Sequence, residues 1–216
     1  MPRAQTAILI SGRGSNMAAL LSAAKSDDYP AEIALVISNN PDAAGLSHAR
    51  DNGIETAVVD HRGRDCREDF EAELTEVLKA AKAEIVCLAG FMRLLTDSFV
   101  DEWRNKLINI HPSLLPAFKG LDTHARALAA GVRIHGATVH FVRPSMDEGP
   151  IIVQAAVPVL TDDTEQSLGN RVLDVEHRIY PMALAWVASG KARIVREKVV
   201  LDAEGKTGRS LIVPEP

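Results

Sequence analysis

The sequence predicts an α/β fold: a doubly wound, mostly parallel central sheet with helices on both faces. Three observations carry that expectation. Short apolar runs alternate along the chain with longer stretches of helical periodicity. The early runs, such as Ala7-Ile8-Leu9-Ile10 and Ile33-Ala34-Leu35-Val36-Ile37, are nearly continuous, as in strands covered on both faces. Polar and glycine residues gather just after several runs, where open α/β sheets hold their ligands.

The first strand is expected over 6–11. It is followed by Gly12-Arg13-Gly14-Ser15-Asn16, then by Met17, Leu20, Leu21 and Ala24 at helical spacing. Glycines let the backbone approach an anion, and free amides at a helix N-terminus favour a phosphate. The dinucleotide fingerprint fails because Met17 stands at its third glycine position, and the P-loop pattern is absent. A small phosphate, as on a phosphoribosyl group, suits so short a loop. An ordinary tight turn explains the residues equally well.

A second strand follows over 32–38, a turn at Asn39-Asn40-Pro41-Asp42, and a short helix over 43–52 closed by Gly53. A third strand is expected over 54–59. The helix over 64–82 turns Phe70, Leu74, Val77, Leu78 and Ala81 to one face. A fourth strand, 84–89, leads into Gly90-Phe91-Met92-Arg93-Leu94-Leu95. Thr96 caps a short helix holding Phe99, Val100 and Trp103, and the fifth strand spans 107–111.

That fifth strand ends in Asn109-Ile110-His111-Pro112-Ser113-Leu114-Leu115-Pro116. Side chains alternate along a strand, so Asn109 and His111 share one face and look together into a cleft. The next segment, 113–123, reads as an extended loop beside that cleft, either a lid or a plain surface loop. A helix over 123–130 follows. Two further strands, 134–142 and 150–159, flank Arg143-Pro144-Ser145-Met146-Asp147-Glu148-Gly149. Thr138, His140 and Val142 share a face that alternation turns toward a polar space. His140 reads equally as a site-lining residue and as a core histidine satisfied by its neighbours.

The helix over 164–189 carries a core stripe of Leu168, Val172, Val175, Ile179, Met182 and Trp186, with a kink expected at Pro181. Glu176 lies beside the stripe, and a buried carboxylate there needs a partner. Gly190 ends the helix. The tail, 192–216, reads as an edge hairpin turning around Ala203-Glu204-Gly205-Lys206.

Composition narrows the function. The 216 residues are 46% hydrophobic, enough for one domain spanning 1–216 with a large core. A net charge of -5, no basic run and 4% aromatics disfavour nucleic acid. Two separated cysteines, Cys66 and Cys87, fit a cytoplasmic setting. The run 7–10 is too short for a signal peptide, and nothing approaches the roughly 18 apolar residues of a membrane span. No metal is expected: there is no Cys/His cluster and no H-E-x-x-H. No nucleophile elbow appears either.

What remains is equipment for proton transfer and oxyanion stabilisation. His111 can give and take a proton near neutral pH. Asn109 can donate to an oxyanion, a contact worth about 3 kcal/mol, or 10²–10³ in rate. Asp147 can hold the imidazolium. This set fits acyl transfer to an amine without a covalent intermediate.

At these residues the chain resembles the glycinamide ribonucleotide formyltransferases of purine synthesis. The shared motifs are Ser11-Gly12-x-Gly14-Ser15-Asn16, Leu88-Ala89-Gly90-Phe91-Met92-Arg93, the Asn109 to Pro116 segment, His135-Gly136 and Asp147-x-Gly149-Pro150-Ile151-Ile152. Their order and spacing match over nearly the whole chain. The Asn109 to Pro116 segment alone also resembles methionyl-tRNA formyltransferases and formyltetrahydrofolate hydrolases. The Gly-Ser-Asn loop narrows the choice to the purine family.

The resemblance implies a Rossmann-like formyltransferase fold and small-molecule partners, glycinamide ribonucleotide and folate, in a monomer or homodimer. The formyl donor would be 10-formyltetrahydrofolate. It implies that Asn109, His111 and Asp147 are catalytic, and that Gly14, Ser15 and Asn16 hold the ribonucleotide's phosphate while Glu176 grips the rest, through ribose hydroxyls. For the folate it implies Arg67 at a glutamyl carboxylate, the backbone of Met92, Arg93, Leu94 and Leu95 at the pterin, and Arg143, Pro144, Ser145, Met146 and Asp147 in the loop closing over it. A 10-formyltetrahydrofolate hydrolase, using water as acceptor, is the rival reading. A non-catalytic binding module would leave the Asn-His-Asp set unexplained.

Overall fold

The computed structural model describes residues 2–202 and residue 213. In chain order the elements are β1 (Ala4–Ile10), α1 (Ser15–Ala24), β2 (Ala31–Ser38), α2 (Ala44–Asp51), β3 (Glu55–Val58), α3 (Arg67–Ala80), β4 (Ile85–Leu88), α4 (Asp97–Glu102), β5 (Leu107–His111), α5 (Thr123–Ala129), β6 (Ile134–Phe141), β7 (Ile151–Pro158), α6 (Glu165–Ala188), β8 (Ala192–Val195) and β9 (Lys198–Leu201). The first seven strands form one sheet in the order β3-β2-β1-β4-β5-β6-β7. β1 to β5 are parallel, and β6 and β7 run antiparallel beyond them. The strand order reverses between β1 and β4, and the carboxyl ends there open a crevice suited to a ligand.

Alternate residues of the inner strands feed two apolar layers. Ile8 and Ile10 pack with Leu20 of α1, Leu46 of α2, and Val172 and Ile179 of α6. Ala7 and Leu9 pack on the other side with Phe70, Leu74 and Leu78 of α3 and with Phe99 and Trp103 around α4. A fully buried Leu or Phe contributes about 1.5–3 kcal/mol. These layers therefore outweigh the helix caps, at about 1 kcal/mol each. The cap expected at Thr96 forms all the same, and a second, not foreseen, forms at Thr164. The Thr96 hydroxyl accepts from the Phe99 amide, and Thr164 forms a reciprocal capping box with Ser167.

Three details depart from the sequence expectation. The buried face of α6 runs through Leu168, Val172, Glu176, Ile179, Tyr180, Ala183 and Leu184, while Met182 is exposed. At about 100° per residue Ala183 and Met182 fall on opposite sides of Ile179, and the buried face lies on the Ala183 side. Both faces of β6 are buried, with Thr138 and His140 enclosed rather than lining an open polar space. Neighbouring polar groups, not water, satisfy them. The described hairpin turns at Arg196 and Glu197, both at positive φ, and forms its own sheet of β8 and β9 rather than an edge of the main one. The turn expected at 203–206 lies outside the described residues.

Candidate active site

Two groups of polar residues sit at the carboxyl ends of the parallel strands. The first follows β1. Gly14 adopts φ 74°, and a Cβ there would lie 3.3 Å from the Gly45 Cα. The loop can press against α2 only without a side chain, and the Gly45 amide donates to the Gly12 carbonyl at 3.0 Å. Gly14 also offers no side-chain cap to α1. The first-turn amides are thus left to a ligand or water.

Asn16, in that first turn, is buried, and its Nδ2 donates to Glu176 Oε2 at 2.7 Å. Burial pushes the Glu176 carboxyl above its ordinary pKa, and the Asn16 hydrogen bond offsets only part of that. Among the described residues the buried Asn16 Oδ1 has no hydrogen-bond partner. A buried acceptor left unpaired costs about 1–3 kcal/mol, so a ligand that donates here is favoured.

The second group is built across β5 and β6. The antiparallel register places Asn109 opposite His140 and His111 opposite Thr138. Directly paired residues share a face, so four polar side chains converge. His140 Nδ1 donates to the Phe141 carbonyl at 2.9 Å, which leaves Nε2 to accept from Asn109 Nδ2 at 3.3 Å. Burial lowers the His140 pKa and keeps the ring in the neutral form this pairing needs. One N–H of the Asn109 amide is thereby fixed, and the other remains for a ligand.

His111 is buried, with Nε2 donating to the Phe118 carbonyl at 3.0 Å and Nδ1 lying 3.5 Å from Asp147 Oδ2. Both ring nitrogens face oxygen acceptors, an arrangement satisfied in full by an imidazolium. Asp147 adopts φ 56° and accepts from the Gly120 amide at 2.8 Å. Its other oxygen lies 3.9 Å from His140 Nε2. Gly149 holds this loop in place: a Cβ there would meet the Phe141 carbonyl oxygen at 1.6 Å.

The loop over 113–123 is packed onto this group through Phe118 and Gly120. The Phe118 ring meets His135 edge-on at 5.7 Å, and Arg126 lies 5.8 Å from its centroid. Burial, with His124 adjacent, pushes His135 down to about 4. Ser113 donates its hydroxyl to Ala117 and is wholly buried, so it offers no nucleophile.

Sequence reasoning missed the brace beneath the loop. Thr138 Oγ1 donates to the Ser113 carbonyl at 2.7 Å and accepts from the Leu115 amide at 3.1 Å and Gln154 Nε2 at 2.9 Å. Its only sequence signal was a threonine on the same face as His140.

The remaining residues expected at a folate lie mostly at the surface. Met92, Leu94 and Met146 are among the exposed large apolar side chains, with Arg93 and Leu95 half-buried between them in the chain. Arg67 is exposed at the start of α3, and Pro144 and Ser145 are exposed in the Asp147 loop. Ser15 is exposed at the start of α1. The Arg143 side chain turns toward the hairpin, donating to Glu197 Oε2 at 2.7 Å and to Asn105 Oδ1 at 2.8 Å. Among the described residues no group of three His, Cys, Asp or Glu is placed to hold a metal ion, and no helix is long and apolar enough to cross a membrane.

The formyl transferase family model matches residues 4–184. The phosphoribosylglycinamide formyltransferase of Escherichia coli (strain K12) is 42% identical over 197 residues, covering 91% of this chain and 93% of that protein. The trifunctional purine biosynthetic protein adenosine-3 of Drosophila melanogaster is 49% identical over 197 residues, but the chain spans only 15% of its length. The crystal structure of glycinamide ribonucleotide transformylase 1 from Symbiobacterium toebii superposes with a TM-score of 0.89 at 44% identity, covering 92% of this chain and 94% of that one.

Proposed function

Because the chain belongs to the formyl transferase family, we propose that it transfers the formyl group of 10-formyltetrahydrofolate to the amine of glycinamide ribonucleotide, in purine synthesis. The observation that carries this reading is the convergence of Asn109, His111 and Asp147 at the end of β5, beside a glycine loop suited to a phosphate. The relatives named for this reaction, matching over nearly their full length in Escherichia coli, support it.

In this reading the first-turn amides after Gly14, with Ser15 and Asn16, take the phosphate, and Glu176 and the unpaired Asn16 Oδ1 take hydroxyl donors of the ribose. The backbone of 92–95 and the loop 143–147 enclose the pterin, and Arg67 meets a carboxylate of the glutamyl tail. The substrate amine attacks the formyl carbon, forming a C–N bond and an oxyanion. The free N–H of Asn109 and the His111 ring stabilise that charge. As the bond from carbon to the folate nitrogen breaks, the amine loses a proton and the folate nitrogen gains one. His111 and Asp147 carry it, directly or through one water.

The test is folate deformylation, followed by absorbance, with and without glycinamide ribonucleotide. Turnover that requires the ribonucleotide supports the transferase. Equal turnover without it supports the hydrolase.

A further inference from the structure

The glycine loop and the 92–95 segment are joined by one side chain that neither substrate is expected to touch. Ser11 follows β1 and immediately precedes the glycine loop. Its amide donates to the Gly90 carbonyl at 3.1 Å, across the switch point between β1 and β4. Its hydroxyl accepts from the Met92 amide at 2.8 Å and donates to Asn39 Oδ1 at 2.6 Å. Asn39 is 4% exposed, and its side-chain Nδ2 lies 3.1 Å from His61 Nδ1, so the amide whose oxygen orients the hydroxyl is itself held. On the other side, Gly12 is tied to Gly45 through its carbonyl. The phosphate loop and the 92–95 segment therefore share one oxygen as a fixed point. Any shift of residues 12–16 on anion binding moves the Ser11 backbone, and with it the partner of the Met92 amide.

We propose that Ser11 is a positioning residue that couples the ribonucleotide end of the site to the folate end, so that each substrate tightens the other. The inference rests on the transferase reading, which places the pterin on the 92–95 backbone. A hydroxyl is required because one group must accept from Met92 and donate to Asn39 at once. Alanine leaves both partners unpaired.

The experiment is calorimetric titration of full-length protein with tetrahydrofolate, which carries no formyl group, alone and with saturating glycinamide ribonucleotide, and the reciprocal titration. Coupling between sites is reciprocal, and the wild type is expected to show an increase of about five-fold or more in each direction. In Ser11→Ala the factor collapses toward one while ribonucleotide affinity alone is kept. Ser11→Thr, which retains the hydroxyl, restores it. A purely structural role would lower the melting temperature and both affinities but leave the factor intact, and that result overturns the proposal. So does a wild type with no coupling. Wild-type protein that binds neither probe would sink the transferase reading itself, before any coupling is measured.

Discussion

The two ends of the cleft are made by different means. Around Gly14 the chain offers backbone: positive φ, close approach to Gly45 and an uncapped helix start. Around His111 it offers side chains, because antiparallel pairing sets Asn109 against His140 and His111 against Thr138 on one face. The contrast teaches where precision is needed. The glycine end suits grip on a constant anion. The histidine end suits proton movement, and each of its groups is held by another.

The comparison breaks most sharply at the histidine end. His111→Ala or Asp147→Asn should lower turnover by about 10²–10⁴-fold, the usual worth of acid-base groups, with circular dichroism unchanged. Near-normal turnover in a folded variant would remove them from the chemistry. Asn109→Ala should cost about 10²–10³ in kcat with little change in KM, since its N–H serves the oxyanion. At the glycine end the effect moves to binding. Gly14→Ala strains a left-handed position by about 1–2 kcal/mol, which predicts a KM for the ribonucleotide roughly ten-fold higher.

Two smaller effects sharpen the contrast through pH. Burial raises the Glu176 pKa, so its stabilising contribution is present below the unfolded value and is lost as pH rises through the folded one. Glu176→Gln should then raise the melting temperature at pH 7, by roughly 2–4 °C for about 1 kcal/mol in a chain of this size, while weakening the ribonucleotide. His135, facing His124, Phe118 and His111, is the opposite case. Its pKa lies at about 4, below the ordinary histidine value, so the unfolded chain binds the proton first. The melting temperature should fall as pH drops from roughly 6.5 toward that lower value, and His135→Asn should flatten the slope.

The sequence made the local features legible. Strand runs, the glycine loop, the cap at Thr96 and the Asn-x-His pair each depend on neighbours a few residues apart, and the structure contains all of them. Long-range satisfaction was not legible. The partner of Glu176 is Asn16, 160 residues away. The enclosed face of β6 looked open because alternation marks which residues are polar, not what covers them. The engagement of Arg143 by Glu197 depends on a hairpin turn at Arg196 and Glu197 that no glycine marks. Met182 was misplaced because steps of three and four mark a stripe but not which of its flanks the core covers, and here the core covers the flank of Tyr180 and Ala183.

The account's central claim is that the two ends bring an amine and a formyl group together and keep water from competing. The most direct measurement uses donor labelled with ¹³C in the formyl carbon and follows the label by NMR during turnover with glycinamide ribonucleotide. The predicted result is a single labelled product, the formamide of the ribonucleotide, formed in step with tetrahydrofolate. Label accumulating as free formate, at a rate indifferent to the ribonucleotide, would contradict it.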